Sequence, residues 1–247
     1  MAITVMQRTE MKYILTREQY EAFYPEFIAH MKLDEYGVTS IQSLYYDTPD
    51  RRLIRTSIEK PPFKEKIRLR SYGLNTNDKT VYLELKRKAD GIVYKRRVGL
   101  KESEANRFLL KGEACGNGQI AKELMYFKNC YRLLEPAYLI IYERRAFYEE
   151  NGDLRVTMDE NIRYREYDLN LSTSLEGRRI LPEGSIVMEI KVQAAIPLWL
   201  THLLTKHKIY QGSFSKVGEA YKQTSFRPLF RRETEWKTSS IRYSIAH

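Results

Sequence analysis

The stretch KEKIRLR, residues 64–70, carries a cation at every second position. Successive side chains of a β-strand point to opposite faces, so these cations would share one face and leave a mostly apolar face behind them. They are Lys64, Lys66, Arg68 and Arg70. Because like charges repel at this spacing, the strand predicts an anionic partner on its charged face.

The same alternation of apolar and polar residues recurs in other segments of the chain, and short turns join several of them. About eight strands, with helices inserted between them, favour an α+β protein built on an antiparallel sheet or barrel. Further polar strand positions are Glu10 and Lys12, Glu84 and Lys86, Tyr142 and Arg144, Arg155 and Asp159, and Glu189 and Lys191.

Local signals predict where helices begin. Thr16 and Gln19 have the spacing of a capping box, and Thr48 followed by Pro49 is typical of a helix start. The segment SFSK, residues 213–216, predicts another helix that is capped by one of its serines.

The chain has 247 residues, of which 42 are basic and 32 acidic, giving a formal net charge of +10. This balance favours anionic partners, namely nucleic acid, acidic lipid or small phosphorylated compounds. Two cysteines argue against a disulfide framework. Without a signal sequence or a long apolar run, the chain is expected to be cytoplasmic, with no membrane span of its own. We predict one domain over residues 1–225 and a basic tail over residues 226–247.

Two interpretations fit the charged faces. Antiparallel sheets often bury one face and expose the other to water, so such faces alone need no ligand. A ligand is favoured because many of the cations are arginines, which bind phosphate through two hydrogen bonds, and because carboxylates lie among them. A closed barrel with these faces inward would form a cationic tunnel for a polyanion. Its carboxylates, Glu10, Glu84 and Glu189, could hold a divalent metal ion, which prefers oxygen ligands.

Eight motifs occur in the order that is found in the VTC domain, which this chain resembles. They are RTEMKY, SLYYDTPD, KIRLRSYG, LELKRK, YERRAF, LRVTMDENI, VMEIKV and FSKVGEAY, and the resemblance covers residues 5–225. The VTC domain is the polyphosphate polymerase domain of the vacuolar transporter chaperone family, and this chain resembles its bacterial, stand-alone members. The family belongs to the triphosphate tunnel superfamily, with the CYTH phosphatases and cyclases. The resemblance implies an eight-stranded antiparallel β-barrel with helices packed outside.

The resemblance also implies a set of site residues. The phosphate-binding, catalytic cations would be Lys12, Arg68, Arg70, Lys86, Arg144, Arg155 and Lys216. Glu189 would bind Mn²⁺ or Mg²⁺, with Glu10 as a second candidate ligand. Further substrate contacts are expected from Glu10, Lys66, Tyr142, Lys191 and Ser215.

Two positions depart from wider patterns. Ser213 stands where the family commonly has a second basic residue. Arg8 replaces the first acid of the superfamily's ExExK signature, as is usual in VTC domains, and this weakens a hydrolase interpretation. Asp159 could support a metal site or pair with Arg155, and we favour the pairing.

The resemblance implies an ATP-dependent polyphosphate polymerase, which transfers the γ-phosphate of ATP to a growing inorganic polyphosphate chain or a pyrophosphate primer. Phosphoryl transfer requires the protein to position the phosphates and to stabilise their charge, so no catalytic base or nucleophile motif is expected. The sequence agrees, since it contains no HExxH, Walker A or Gly-x-Ser-x-Gly motif. The alternatives are a tunnel hydrolase of triphosphate or nucleoside triphosphates, and a non-catalytic module that binds polyphosphate or inositol phosphates. Nucleic-acid binding, which charge alone suggests, is not expected. Any membrane partner that receives the product would be a separate polypeptide.

Overall fold

Ten strands form one antiparallel sheet in the computed structural model, which describes residues 9–76, 79–90 and 92–225. Arg8 and the predicted basic tail lie outside the described residues. The strands are β1 (Thr9–Leu15), β2 (Lys32–Asp47), β3 (Phe63–Tyr72), β4 (Val81–Ala89), β5 (Ile92–Leu100), β6 (Glu135–Tyr148), β7 (Arg155–Arg165), β8 (Arg178–Arg179), β9 (Ile186–Val192) and β10 (Gln211–Gly212). Eight of these described strands are long and two have only two residues, so the predicted antiparallel α+β architecture is confirmed.

Helices connect several of the strands. They are α1 (Arg17–Phe27), α2 (Arg52–Glu59), α3 (Glu102–Asn106), α4 (Gln119–Cys130), α5 (Leu198–Lys206) and α6 (Lys216–Ser225). A π-helical turn, Arg107–Lys111, directly follows α3. Within the described ranges, no helix combines the length and the apolar character that crossing a membrane requires.

The sheet is strongly curled. Its strand order is β10-β1-β9-β7-β6-β2-β3-β4-β5, with β8 paired to β7. Six strand spacings separate β1 from β4, which would be roughly 29 Å in a flat sheet. Yet the Lys86 ammonium on β4 lies 3.4 Å from the Glu10 carboxylate on β1. The two ends of the sheet therefore face each other across a concave side.

The sheet does not close into the expected barrel within the described residues. Among the described residues, no strand pairing joins β5 to β1 or β10, so the sheet remains open along one side. Part of the β1 edge is taken instead by β10, which pairs with Lys12 and Tyr13. Those backbone groups are consequently unavailable to β5. The architecture is an open sheet curled into a tube-like shape.

The convex side of the sheet carries most of the helices over two apolar cores. One core packs Phe23 and Phe27 of α1 and Leu200 of α5 against β1, β7 and β9. The other packs Phe108 and Phe127 against β2 to β6. The inward alternation predicted for KEKIRLR is confirmed here, since its apolar residues lie in this second core while its cations lie on the concave side.

Helix α6 packs on the concave side of the sheet, contrary to the expectation that the helices pack outside. Its residues Val217 and Ala220 are buried against Ile140 and Val187 on the concave side of the sheet. The Tyr138 hydroxyl also hydrogen-bonds that of Thr224 at 2.6 Å. The inner face is thus apolar in one part, which needs a cover, and α6 provides it.

Two of the three helix starts predicted from the sequence are confirmed. The Thr16 capping box is present, and the Ser215 hydroxyl accepts a hydrogen bond from the Gly218 N–H at 3.3 Å. The helix predicted to begin at Thr48 begins later, at Arg52. The predicted cap Thr48 still accepts a hydrogen bond from the Arg52 N–H at 3.1 Å through its hydroxyl, and the carboxylate of Asp47 accepts from the next two N–H groups of α2.

Replacing Asp47 with alanine should lower the free energy of unfolding by about 1–2 kcal/mol. The buried Asp47 carboxylate accepts from the N–H of Leu53 at 2.8 Å and of Ile54 at 2.9 Å, and both would lose their acceptor. Urea unfolding followed by circular dichroism measures the change. Asp50→Ala is the control, since this exposed carboxylate pairs only with Thr48 and Arg55 in the described structure. Equal destabilisation by both substitutions would contradict the capping role.

Candidate anion-binding site

The predicted strand residues share one surface, the concave face. The strand registers align Arg68 with Tyr45 and Glu84, and Lys12 with Glu189. Polar side chains that point inward on this face include Glu10, Lys12, Ser43, Tyr45, Lys64, Lys66, Arg68, Arg70, Tyr72, Tyr82, Glu84, Lys86, Lys88, Lys95, Arg97, Tyr142, Arg144, Arg155, Thr157, Asp159, Glu189 and Lys191. Alternation within separate strands therefore becomes one continuous cationic surface.

Glu84 on β4 is surrounded by four cations, Arg68 and Arg70 on β3 and Lys95 and Arg97 on β5. Its carboxylate, only 2% exposed, accepts from the Arg68 guanidinium at 2.8 and 2.9 Å. Lys95 lies 2.7 Å and Arg97 3.5 Å from the same carboxylate. Burial alone would raise the pKa of Glu84, but these cations lower it to about 2. One carboxylate cannot neutralise four cations, so a net positive charge remains.

Arg70 carries much of that excess. It is 7% exposed, and its Nε has no hydrogen-bond acceptor in the described structure. The nearest Glu84 oxygen is 3.8 Å away, and the Tyr142 hydroxyl accepts from the guanidinium at 3.3 Å. The hydroxyls of Ser43 and Thr157 on the same face also have no hydrogen-bond partner among the residues that the structure describes. Buried polar groups are normally hydrogen-bonded, so these atoms indicate a site for a ligand rich in acceptors.

Asp159 binds two cations, and neither is the expected Arg155. It accepts from Arg144 at 2.6 and 2.7 Å, and Lys216 donates to it at 2.6 Å. Asp159 lies four positions after Arg155, roughly 13 Å along β7, whereas Arg144 is its partner across the strand pair. Burial would raise the pKa of Asp159, but Lys216 and Arg144 hold it below its usual value.

A third cluster joins β1, β4 and β9. The Lys12 ammonium lies 3.3 Å from Glu10 and 3.8 Å from Glu189, and Lys191 lies 2.5 Å from Glu189. Burial disfavours the Glu189 anion, yet Lys191 and Lys12 lower its pKa far below the usual range. Within the described ranges, no group of three or more acidic, histidine or cysteine side chains is arranged to hold a metal ion. Glu10 and Glu189 form a two-carboxylate set beside Lys12.

Lysines dominate one end of the concave face. A cavity of about 770 Å³ opens there, lined among others by Lys60, Lys64, Lys66 and Lys88. Burial, and then the charges of neighbouring cations, lower the pKa of Lys66 to about 8. Lys60 donates a hydrogen bond to Ser213 at 3.0 Å. Lys60, the residue that directly follows α2, thus brings a cation to Ser213.

Two predicted site residues stand apart from the clusters. The Arg155 guanidinium bonds the carbonyl oxygens of Gly152 and Leu154 in the turn before β7, at 3.4 and 3.0 Å. Ser215 lines the lysine cavity but uses its hydroxyl as the cap of α6. The other predicted residues are brought together by the curl of the sheet and by α6, which carries Lys216.

The sequence interpretation missed several members of the face. Lys95 and Arg97 alternate within VYKRRVGL, residues 93–100, so strand parity alone could have found them. Nothing in the sequence indicates that Tyr45, and not the adjacent Tyr46, belongs to the concave face. Both tyrosines are buried in β2. In the structure the Tyr45 hydroxyl accepts from Arg68 at 2.8 Å.

Tyr45 should ionise near neutral pH. Burial alone would raise the pKa of its phenol, but Arg68, Lys66 and Arg70 together lower it to about 7. An ultraviolet difference titration of the ligand-free protein should therefore show one tyrosine with a midpoint near that value, and Tyr45→Phe should remove this step. Tyr94→Phe, on the convex side of β5, is the control and should retain it. A titration without any step below pH about 9 would contradict the assignment.

Comparisons with known proteins agree with this architecture. The structure is similar to a protein from Bacillus halodurans proposed to be an adenylate cyclase, with a TM-score of 0.50, 14% sequence identity, and coverage of 83% of this chain and 92% of that chain. A protein from Vibrio parahaemolyticus, also proposed to be an adenylate cyclase, gives a TM-score of 0.47 at 12% identity, covering 87% of this chain and 97% of that chain. At such low identity the Bacillus likeness concerns the fold alone. No curated protein matches the sequence significantly.

A family comparison extends over most of the chain. The sequence model of the VTC domain matches residues 7–225, a range that includes every residue of the concave face. The chain therefore belongs to the VTC domain family.

Proposed function

We propose that this protein transfers the γ-phosphate of ATP to a growing inorganic polyphosphate chain on the concave face. The observation that carries the proposal is the buried cationic surface of a VTC-domain chain, in whose described residues Arg70 Nε finds no acceptor. Guanidinium groups match phosphate oxygens in pairs and keep their charge when buried. A chain of phosphates would supply both the negative charge and the acceptors that this surface lacks.

Phosphoryl transfer asks for positioning and charge stabilisation more than for covalent chemistry by the protein. In the proposal, Arg68, Arg70 and Arg144 bind the β- and γ-phosphates of ATP. A terminal oxygen of the polyphosphate attacks the γ-phosphorus as the bond to the β–γ bridging oxygen breaks, and ADP leaves. The repulsion between two anionic reactants falls because both lie among cations.

The remaining cations extend the path for the acceptor. Lys12, Lys86 and Lys216 would neutralise the incoming polyphosphate, with Lys66 beside them. Arg155 and Lys191 are partners across β7 and β9, so they would lengthen the same surface. Helix α6 matters here because it holds Lys216 against Asp159 and within 4.7 Å of the Tyr142 ring centre.

The two-carboxylate set fits Mn²⁺ or Mg²⁺. These hard cations take oxygen ligands, and Mg²⁺ commonly uses one or two carboxylates together with substrate phosphates. Glu189 would hold the ion, with Glu10 as the second ligand. When bound, such an ion neutralises charge on the phosphate oxygens. Lys12 contacts both carboxylates and would hold them in position beside the ion.

The polymerase proposal is tested by incubating the protein with ATP, Mn²⁺ and trace pyrophosphate. The expected result is a polyphosphate ladder on a urea gel with a matching release of ADP. Free phosphate without a ladder would indicate a tunnel hydrolase instead. Binding of polyphosphate without either product would indicate a non-catalytic module.

Matched arginine variants connect that activity to the concave face. Arg70→Ala should reduce ladder formation roughly 10- to 100-fold, the loss expected for a buried charge-assisted contact. Arg96→Ala is the control, since Arg96 points to the convex side and pairs with Glu123 of α4 at 2.7 Å. Equal activity in both variants would overturn the assignment of Arg70.

Glu189→Gln separates metal binding from anion binding. The substitution keeps the side-chain shape and removes one negative charge. It should weaken Mn²⁺ binding at least about tenfold by calorimetry, while metal-free tripolyphosphate binding stays the same or tightens, because repulsion of phosphate decreases. Glu123→Gln on α4, outside the concave face, should alter neither. Unchanged Mn²⁺ affinity in Glu189→Gln would remove Glu189 from the proposed metal site.

A further inference from the structure

The two ends of the concave face differ in chemistry. From Lys64 to Tyr72 the inner side of β3 extends roughly 26 Å, at about 3.3 Å per residue. The Lys64 end lies beside Lys88 and opens into the lysine cavity. The other end carries Arg70 beside Tyr82, followed by Tyr72. A substrate with two unlike ends could therefore bind in a defined direction.

The lysine end suits an anion without a base. Among the described residues that line its cavity, Phe214 is the one aromatic, and it is 8% exposed. Lys64 is surrounded by other lysines, and burial followed by their charges lowers its pKa. Polyphosphate needs only charge and hydrogen-bond donors, both of which ammonium groups supply.

The opposite end has a different composition, which we call the tyrosine–arginine platform: Tyr72, Tyr82 and Arg97. The two rings meet edge-on, with their centres 5.9 Å apart. The Arg97 guanidinium lies 3.6 Å from the centre of the Tyr82 ring, and it donates to the Tyr72 hydroxyl at 3.1 Å. Tyr72 is nevertheless 46% exposed, so part of its ring remains available to a ligand.

The platform is joined to the phosphate-binding cations. Arg97 lies 3.5 Å from Glu84, the carboxylate that also binds Arg68. Tyr82, which is half-buried, is the strand partner of Arg70, so the platform directly adjoins the guanidinium whose Nε has no acceptor among the described residues. A group bound on the platform could be continuous with phosphates bound at Arg70.

We propose that the tyrosine–arginine platform binds the base of a nucleoside triphosphate, so that its phosphates extend toward Arg70 and polyphosphate occupies the lysine end. The inference rests on the proposed function for its choice of substrate. Bases stack on aromatic rings and on guanidinium planes, whereas polyphosphate has nothing to stack. Stacking does not discriminate between bases. The Tyr72 hydroxyl already accepts a hydrogen bond from Arg97, so it is not needed to read the edge of a base. ATP and GTP should therefore bind with similar affinity.

This direction separates the paths of the two products. The nucleoside diphosphate would leave from the platform, while the lengthened polymer remains among the lysines. Neither has to pass the other along the face. Successive transfers could then use a fresh nucleotide without release of the polymer.

Calorimetry with ATP and with tripolyphosphate, both without turnover, tests the platform. Tyr72→Leu should weaken ATP binding roughly 5- to 100-fold, as expected for the loss of one base stack, and leave tripolyphosphate binding within about twofold. Tyr72→Phe keeps the ring and should bind ATP like the unaltered protein. Tyr94→Leu is the control, because Tyr94 is exposed on the convex side of the same strand as Arg97.

The outcomes separate this inference from the polymerase proposal. Equal weakening of ATP and tripolyphosphate in Tyr72→Leu, or no weakening of either, would overturn the platform even if a polyphosphate ladder forms. Selective loss of ATP affinity without any ladder would support the platform and overturn the polymerase proposal.

Discussion

The burial of many like charges on one side of a sheet is the constraint on which the rest of this structure depends. Glu84 and Asp159, which are buried on the concave face, each bind more than one cation: Glu84 binds Arg68 and Lys95 among others, and Asp159 binds Arg144 and Lys216. These pairs offset part of the cost of removing charge from water, but they do not cancel the charge. The curl of the sheet concentrates what remains into one concave surface, where an anion gains most from binding.

The alternation of residue types was sufficient to predict the long strands and the inward position of most of the proposed site residues. Alternation describes one strand at a time, however, and cannot say which strands face each other across a curled sheet. The contact of Lys86 with Glu10 depends on that curl, and the partner of Asp159 depends on register. The predicted closed barrel was wrong for a similar reason. Strand β10 pairs with part of the β1 edge, and no local sequence pattern indicates which strand pairs there.

Helix α6 shows how packing and chemistry share one element. Its apolar side covers the inner residues Ile140 and Val187, while its first residue, Lys216, contacts Asp159 and the Tyr142 ring. The sequence predicted a helix here and a role for Lys216, but not that the helix lies inside the sheet. An amphipathic pattern identifies a buried side without identifying the surface that buries it.

The neighbouring Tyr45 and Lys66 have a consequence for proton balance. Their pKa values, about 7 and about 8, lie on either side of slightly alkaline pH, and each group becomes one charge unit less positive when it loses its proton. A bound polyanion favours the protonated form of both, so binding near these pKa values must be accompanied by proton uptake from the buffer. Affinity for polyanions should accordingly decline as the solution becomes alkaline, which makes the concave face a surface whose charge adjusts to both ligand and pH.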